Sequence, residues 1–484
     1  MSQAYTLILG NQLFKEHPQL SKDTPVIMLE SRKLCQRWNY HKYKLAYLIT
    51  SMRRYAKDLR SQGFDVQYYT LQDDKEFAQV FGELSVRSLS YIIPTNKSFR
   101  KYLIELTDKL NIERSVLEES PMFLTPFDVF AEYFESHKRP YKMHNFYVAQ
   151  RKRLQLFMDG KEPYTGEWSK DHQNRKKTPK DYAEPVRIQL DSSSYKKVCA
   201  DIERYFPNNP GSLPELYLPT STAEAQEYLH RFLRDILPCF GDYEDAIDHR
   251  HNFLHHSLLS PLLNIGLLTP AEVLSELKQA IEDNPALMSK HYNSIEGFVR
   301  QIIGWREWMW GLYTHIYEED LEQYNFFEAR EELPNYFYFE DLAQIEDNPP
   351  LHMALSKVQG YAYNHHIERL MILGNWMTLS HYNPHQCYRW FMEMYVDAYE
   401  WVMVGNVYGM GTFADGGIFA TKPYVAGGNY LKKMSHFGKG EWEQIWTEKF
   451  WDFLFTHEKY FSKNPRMNML IRSRKNKSKN NPLH

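Results

Sequence analysis

Two adjacent histidines followed by an arginine, His365-His366 and Arg369 in the run NHHIERL, are the residues of this chain best suited to moving a proton. Imidazole gives and recovers a proton near neutrality, and a guanidinium one turn further on can hold an anionic or aromatic ligand beside it. The pair reads as mid-helix within an apolar pattern, so at least one ring must face inward. A histidine satisfied within a core is the plain alternative. A second group, His249, His251, His255 and His256, contains the i, i+4 pair His251/His255, the spacing that sets two metal ligands on one helical face. Asp248 is the only carboxylate nearby, so a hydrolytic zinc motif is incomplete and a polar helix entrance is the simpler reading. The stretch 406–430 carries paired glycines at Gly416-Gly417 and Gly427-Gly428, which let backbone approach a ligand closely or merely turn the chain. Trp305-Arg306-Glu307 and the aromatic residues crowded into 305–313 and 390–401 suit either a core or an electron path.

Two differently built halves must position these residues. In the first third, short β-type runs at 5–10, 26–30, 65–71 and 89–94 alternate with helical periodicity, as over 42–62. That alternation predicts a doubly wound parallel sheet. LGNQL stands where a GxGxxG fingerprint would follow the first strand, which argues against a dinucleotide-binding Rossmann site. The expected division is an α/β domain over 1–135, a basic connection over 136–215, a large all-α domain over 216–470 and a basic tail over 471–484. Ser221 with Glu224, and Thr269 with Glu272, have capping-box spacing, and Pro270 occupies a first helical position. Long helices are expected at about 294–317, 352–379 and 384–404.

With 484 residues, 43% of them hydrophobic and 15% aromatic, the chain has interior enough for two domains and a large ligand. Formal charge is −3, so nothing global demands a nucleic-acid partner. Between Lys138 and Lys180, however, twelve Lys and Arg face four Asp and Glu. Such a run is either a solvated face or a phosphate-binding one. Cys35, Cys199, Cys239 and Cys387 lie far apart without a CxxC pair, which predicts reduced, buried thiols in a cytoplasmic protein. The N-terminus lacks a basic signal-peptide region, and no apolar stretch reaches the roughly 20 residues of a membrane span. A monomer is expected.

Taken together, FGDYEDAI (240–247), HSLLSPLLNIGLL (256–268), SIEGFVRQIIGWREW (294–308), NHHIERLMILGNW (364–376) and FADGGIFATKPYVAGGNYLKKMS (413–435) resemble the photolyase/cryptochrome superfamily. The resemblance is to its bacterial photolyase-related group, the iron–sulfur bacterial cryptochromes and photolyases. FYVAQRKRLQLFMDGKEPYTGEWSKDHQNRKK (146–177) and the N-terminal LGNQL extend it over nearly the whole chain. The resemblance implies an antenna chromophore, often a ribityl-lumazine, in the α/β domain and a U-shaped FAD in the helical one. It implies light-driven repair of pyrimidine (6-4) photoproducts, with UV-damaged DNA as partner. Tyr243 and the run His256-Ser257-Leu258-Leu259-Ser260 fall where the superfamily binds FAD. Arg369 matches the arginine beside the isoalloxazine, and Asp397 the aspartate paired with it. His366 falls on the histidine that protonates the lesion, with His365 as second candidate, and Trp390 on the aromatic electron path.

Departures from the pattern sharpen the expectation. The positions matching the four cluster cysteines are Pro350, Gly438, Glu441 and about Gln444, and no Cys lies beyond 387, so no [4Fe–4S] cluster is expected. Met403 falls near flavin N5, where a thioether is a poor hydrogen-bonding partner. Phe339 stands where relatives carry a tryptophan. Arg151, Lys152 and Arg153 are expected to contribute to DNA affinity. Two rival functions remain: a flavin blue-light photoreceptor without repair activity, and a light-independent DNA-binding scaffold. The His365-His366-Arg369 set favours repair, while Met403 and Phe339 favour the rivals.

Overall fold

A computed structural model describes residues 3–480, save 175, 340 and 464. Five short runs pair in parallel: β1 (Ala4–Leu7), β2 (Val26–Leu29), β3 (Val66–Tyr69), β4 (Ser88–Ile92) and β5 (Glu113–Leu117). Their order is β3-β2-β1-β4-β5, with Thr6 opposite Val26 on one side and Ser90 on the other. The all-apolar β2 is buried along its whole length, as a strand covered on both faces must be. β5 (ERSVL) escapes sequence reading because charged residues interrupt its apolar pattern.

Helices cover the sheet and make up most of the remaining chain. The first long one, α1 (Lys42–Ser61), turns an apolar face onto the sheet. α2 (Pro270–Asp283) starts on a complete capping box. Thr269 Oγ1 accepts from Glu272 N, and the Glu272 carboxylate accepts from Thr269 N at 2.7 Å. At the other expected box, Ser221 accepts from Glu224 N, but Glu224 turns its carboxylate to Thr220 N and to Arg54 of α1. One apolar core contains Val26 and Tyr47 together with Leu262 and Phe298, so the sheet layer and the helical body share an interior.

The expected long helices are interrupted, and the interruptions form the site. The first runs from α3 (Tyr292–Val299) to α4 (Glu307–His315) through a π-helical stretch, Arg300–Arg306. The second is broken. α5 (Pro349–Tyr361) ends at Ala362, which is left-handed (φ 52°), and helix resumes only at His366. His365-His366 therefore stand at a helix start and not mid-helix. Apolar periodicity runs through the break because Ala362, Tyr363, Asn364 and His365 are all buried. After His366 come a second π-helical stretch, Glu368–Gly374, and α6 (Asn375–Leu379). The third splits into α7 (Pro384–Met394) and α8 (Glu400–Val404), followed by π-helical Gly405–Gly411.

The basic connection is more ordered than its composition predicts, with helices at Met143–Leu154 and Ser193–Tyr205. Arg151 is fully buried. Its guanidinium donates to the carbonyls of Leu156, Phe157 and Trp168 and to Tyr292 Oη, which removes it as a phosphate contact. The cysteines are free, but only Cys387 is fully buried. No described helix is long and apolar enough to cross a membrane.

Candidate active site

Three π-helical stretches border one cavity of about 620 Å³, contributing Arg300, Trp305 and Arg306 from the first, Arg369 and Met371 from the second, and Asn406 and Met410 from the third. A π turn widens a helix and re-aims its side chains, and such turns concentrate at functional sites. Sequence periodicity gives no sign of them.

One part of the cavity lining is built around Arg369 and Asp397. The guanidinium donates to both carboxylate oxygens, at 2.9 and 3.1 Å, and the ring of Tyr395 lies 4.2 Å from its carbon. Ser260 Oγ donates to Asp397 at 2.7 Å, and Asn264 Nδ2 donates to the Asp397 carbonyl at 2.8 Å. Both the fork and the carboxylate are thus fixed from two sides. His256, Ser257, Leu258, Leu259 and Ser260 line this wall, with Leu258 left-handed at φ 54°. Met403 is buried and also lines the cavity, beside Met309 and Met371.

A second polar group lines the same cavity. His366 Nε2 lies 3.2 Å from Asp245 Oδ1. Its side chain is 48% accessible, and it lines the cavity. Burial works against the imidazolium. The hydrogen bond and charge of Asp245, with the charge of Glu244, outweigh it and raise the His366 pKa above its ordinary value. Glu244, 4% exposed, accepts from Asn174 and from Gln301, and burial pushes its carboxyl up to about 7 against the pull of Arg300. Sequence reasoning missed Glu244, Asp245, Arg300 and Gln301. The available signal was three acids among apolar and aromatic residues in FGDYEDAI.

His365 does not line the cavity. It is buried, with Nε2 3.3 Å from the Glu368 oxygen that accepts from Lys357 Nζ at 2.6 Å. Its ring stacks on His256 at 4.5 Å and 10°. Burial lowers the pKa of both. His256, His365 and His366 bring ring nitrogens within 4.8 Å of one another, but the in-plane lone pairs of stacked rings do not converge on one ion. The His251/His255 metal reading fails more simply. That segment is not helical, and His255 Nδ1 is hydrogen-bonded to Tyr182 Oη at 2.8 Å.

Tyr243 and Trp390 also lie outside the lining. Tyr243 is half-buried against Tyr182 and His255. Trp390 is fully buried, donates to the Phe337 carbonyl, and packs 5.0 Å from Phe391, which does line the cavity. Phe339 is 54% exposed. Of the positions matched to cluster cysteines, Pro350 is buried at the start of α5, whereas Gly438, Glu441 and Gln444 are exposed around the start of α9 (Glu441–Thr456). Trp446 Nε1 in α9 donates to Asn348 Oδ1 at 2.9 Å, so an indole and an amide tie these two regions together.

A five-stranded parallel sheet joined to a helical body that lines such a cavity is the fold shared by known photolyases and cryptochromes. The family model of the deoxyribodipyrimidine photo-lyase-related proteins matches residues 6–217. Over 490 aligned residues the chain is 31% identical to a (6-4) photolyase of Agrobacterium fabrum, covering 96% of this chain and 94% of that protein. A Synechocystis cryptochrome shares the fold with a TM-score of 0.56 at 13% identity, over 94% of this chain and 88% of that one. An archaeal photolyase from Sulfolobus tokodaii, solved with two FAD molecules, does so at 0.52 and 16%, over 85% and 82%. The chain belongs to the deoxyribodipyrimidine photolyase-related family.

Proposed function

We propose that this chain is a light-driven DNA photolyase for pyrimidine (6-4) photoproducts, with FAD in the cavity and His366 as proton donor. One observation carries the reading: the His366–Asp245 pair faces the same cavity as the Arg369–Asp397 fork. The residues present fit FAD. Leu263, Met309 and Met403 offer apolar walls to a flat ring system, and the fork offers fixed donors and an acceptor at its edge. Ser257 and Ser260 line the same cavity and supply hydroxyls for the remaining polar groups. Bound FAD supplies the photoexcited electron.

The protein's own part is to extract the damaged bases from the stack, exclude water and hold a proton in place. Asp245 takes one N–H of the His366 imidazolium, which leaves Nδ1–H as the proton to give. The lesion receives it as oxygen returns to its original base, and the imidazole recovers it when repair is complete. A lone water would have to compete with return of the electron.

A second reading, a flavin photoreceptor of the cryptochrome kind, draws on Met403 and on Phe391. Phenylalanine is hard to oxidise, and Phe391 stands between the cavity and Trp390. Defined (6-4) and cyclobutane-dimer duplexes incubated with the protein under blue light separate the two. Light-dependent loss of the (6-4) lesion supports repair. Flavin photoreduction with both lesions untouched supports the photoreceptor.

A further inference from the structure

Lys44 belongs to the α/β part of the chain, yet its ammonium ends in the helical part. It sits in the first turn of α1 and is buried. Nζ donates to the carbonyls of Met392 and Ala398, each at 2.7 Å. The rings of Tyr40 and Tyr399 lie 5.1 and 5.7 Å from it. Met392 is in the last turn of α7, where carbonyls have lost their intrahelical partners, and Ala398 lies in the gap before α8. The neighbours of Lys44 extend the clamp. His41 N donates to the Glu393 carbonyl, and Asn39 N to the Glu393 carboxylate, both at 2.9 Å. The start of α1 thus caps the end of α7 with a cation and backbone donors from the other half of the molecule.

Between the two carbonyls that Lys44 grips stands Asp397, which holds Arg369 and Ser260. The charged groups facing the ammonium are Asp397, already committed to Arg369, and Glu393, committed to Arg389 and Asn39. Burial brings the Lys44 pKa down to about 7 despite both carboxylates. A buried ammonium without a carboxylate of its own is costly, and an unbranched apolar side chain would fill the space.

We propose that Lys44 is a positioning residue through which the α/β part of the chain sets the Arg369–Asp397 pair and so holds the flavin. The proposal rests on the reading of the cavity as the FAD site. Lys44 acts through a main-chain hinge: it fixes the carbonyls on either side of Asp397, and the carboxylate follows.

The test is a double-substitution cycle read on flavin affinity and not on repair. Wild type, Lys44→Met, Asp397→Asn and the double variant are reconstituted with FAD. Kd is measured by flavin fluorescence, and circular dichroism checks folding. Lys44→Met is expected to weaken binding about ten-fold in the wild-type background and by less than about two-fold beside Asp397→Asn, the signature of coupled residues. Unchanged affinity in Lys44→Met, or the same loss in both backgrounds, overturns the proposal while the cavity reading stands. A wild type that takes up no FAD removes the cavity reading and the proposal with it. Should Lys44→Met not fold, hydrogen exchange on the wild type decides the matter. FAD is expected to protect the amides of 41–45 together with those of 395–399, and protection of 395–399 alone overturns the proposal.

Discussion

Asp245 holds His366 by a single nitrogen, Nε2 to Oδ1 at 3.2 Å, and by doing so raises the pKa of an imidazole that lines the cavity. A histidine whose pKa is raised is protonated below that pKa and loses its proton as pH climbs through it. Repair that needs the imidazolium must therefore run on the acid side and fall on the alkaline side. Asp245→Asn removes a charge that raises the pKa, so the alkaline limb of (6-4) repair should move to lower pH. The quantum yield against pH, at constant flavin occupancy, measures the shift. An unmoved limb would assign the proton to another group.

His366→Ala should reduce (6-4) repair by about 10²- to 10⁴-fold, the usual worth of a positioned general acid. Flavin content should hold, because the Arg369–Asp397 fork makes no bond to His366. Product per photon on both lesions, with flavin absorbance read in each sample, gives the answer. Loss of flavin would make His366 a structural residue.

Trp390→Phe should slow flavin photoreduction at least about five-fold, since Trp390 is the easily oxidised ring packed directly behind the cavity wall at Phe391. Illumination with a thiol donor, followed at the flavin bands, reads the rate. An equal rate would place the electron path elsewhere.

Arg151 and Lys152 are neighbours in sequence with opposite expected effects. Arg151→Ala strips a buried guanidinium from three carbonyls and should lower stability by about 3 kcal/mol in a urea titration. Lys152→Ala should leave stability within about 0.5 kcal/mol and, if this face meets DNA, reduce the salt slope of binding by about one. A flat salt response would assign the basic run to the fold.

Much of the architecture can be read from residue patterns, because a parallel sheet advertises itself in runs such as VIML and helices in boxes such as Thr269/Glu272. What cannot be read are features in which burial hides a change of backbone. Apolar periodicity passes unbroken through left-handed Ala362, so His365 and His366 look mid-helix. Arg151 looks like a surface cation because charge in a sequence carries no information on its partners. Asp245 becomes visible as the partner of His366 only when two segments far apart in the chain meet.

The three π-helical stretches around the cavity have a consequence for insertions and deletions. A π turn accommodates one residue more than the α-helical turn it replaces. Removing a single residue from 300–306, 368–374 or 405–411 would let the helix close into regular α geometry. The helix beyond the deletion would keep its direction, because the wide turn already absorbs the extra residue, but the side chains carried on that turn would be re-aimed. In 405–411 that would carry Asn406 and Met410 off the cavity wall without changing either side chain. Sequence drift in this protein should therefore tolerate exchange of residue type at these places far better than loss of length.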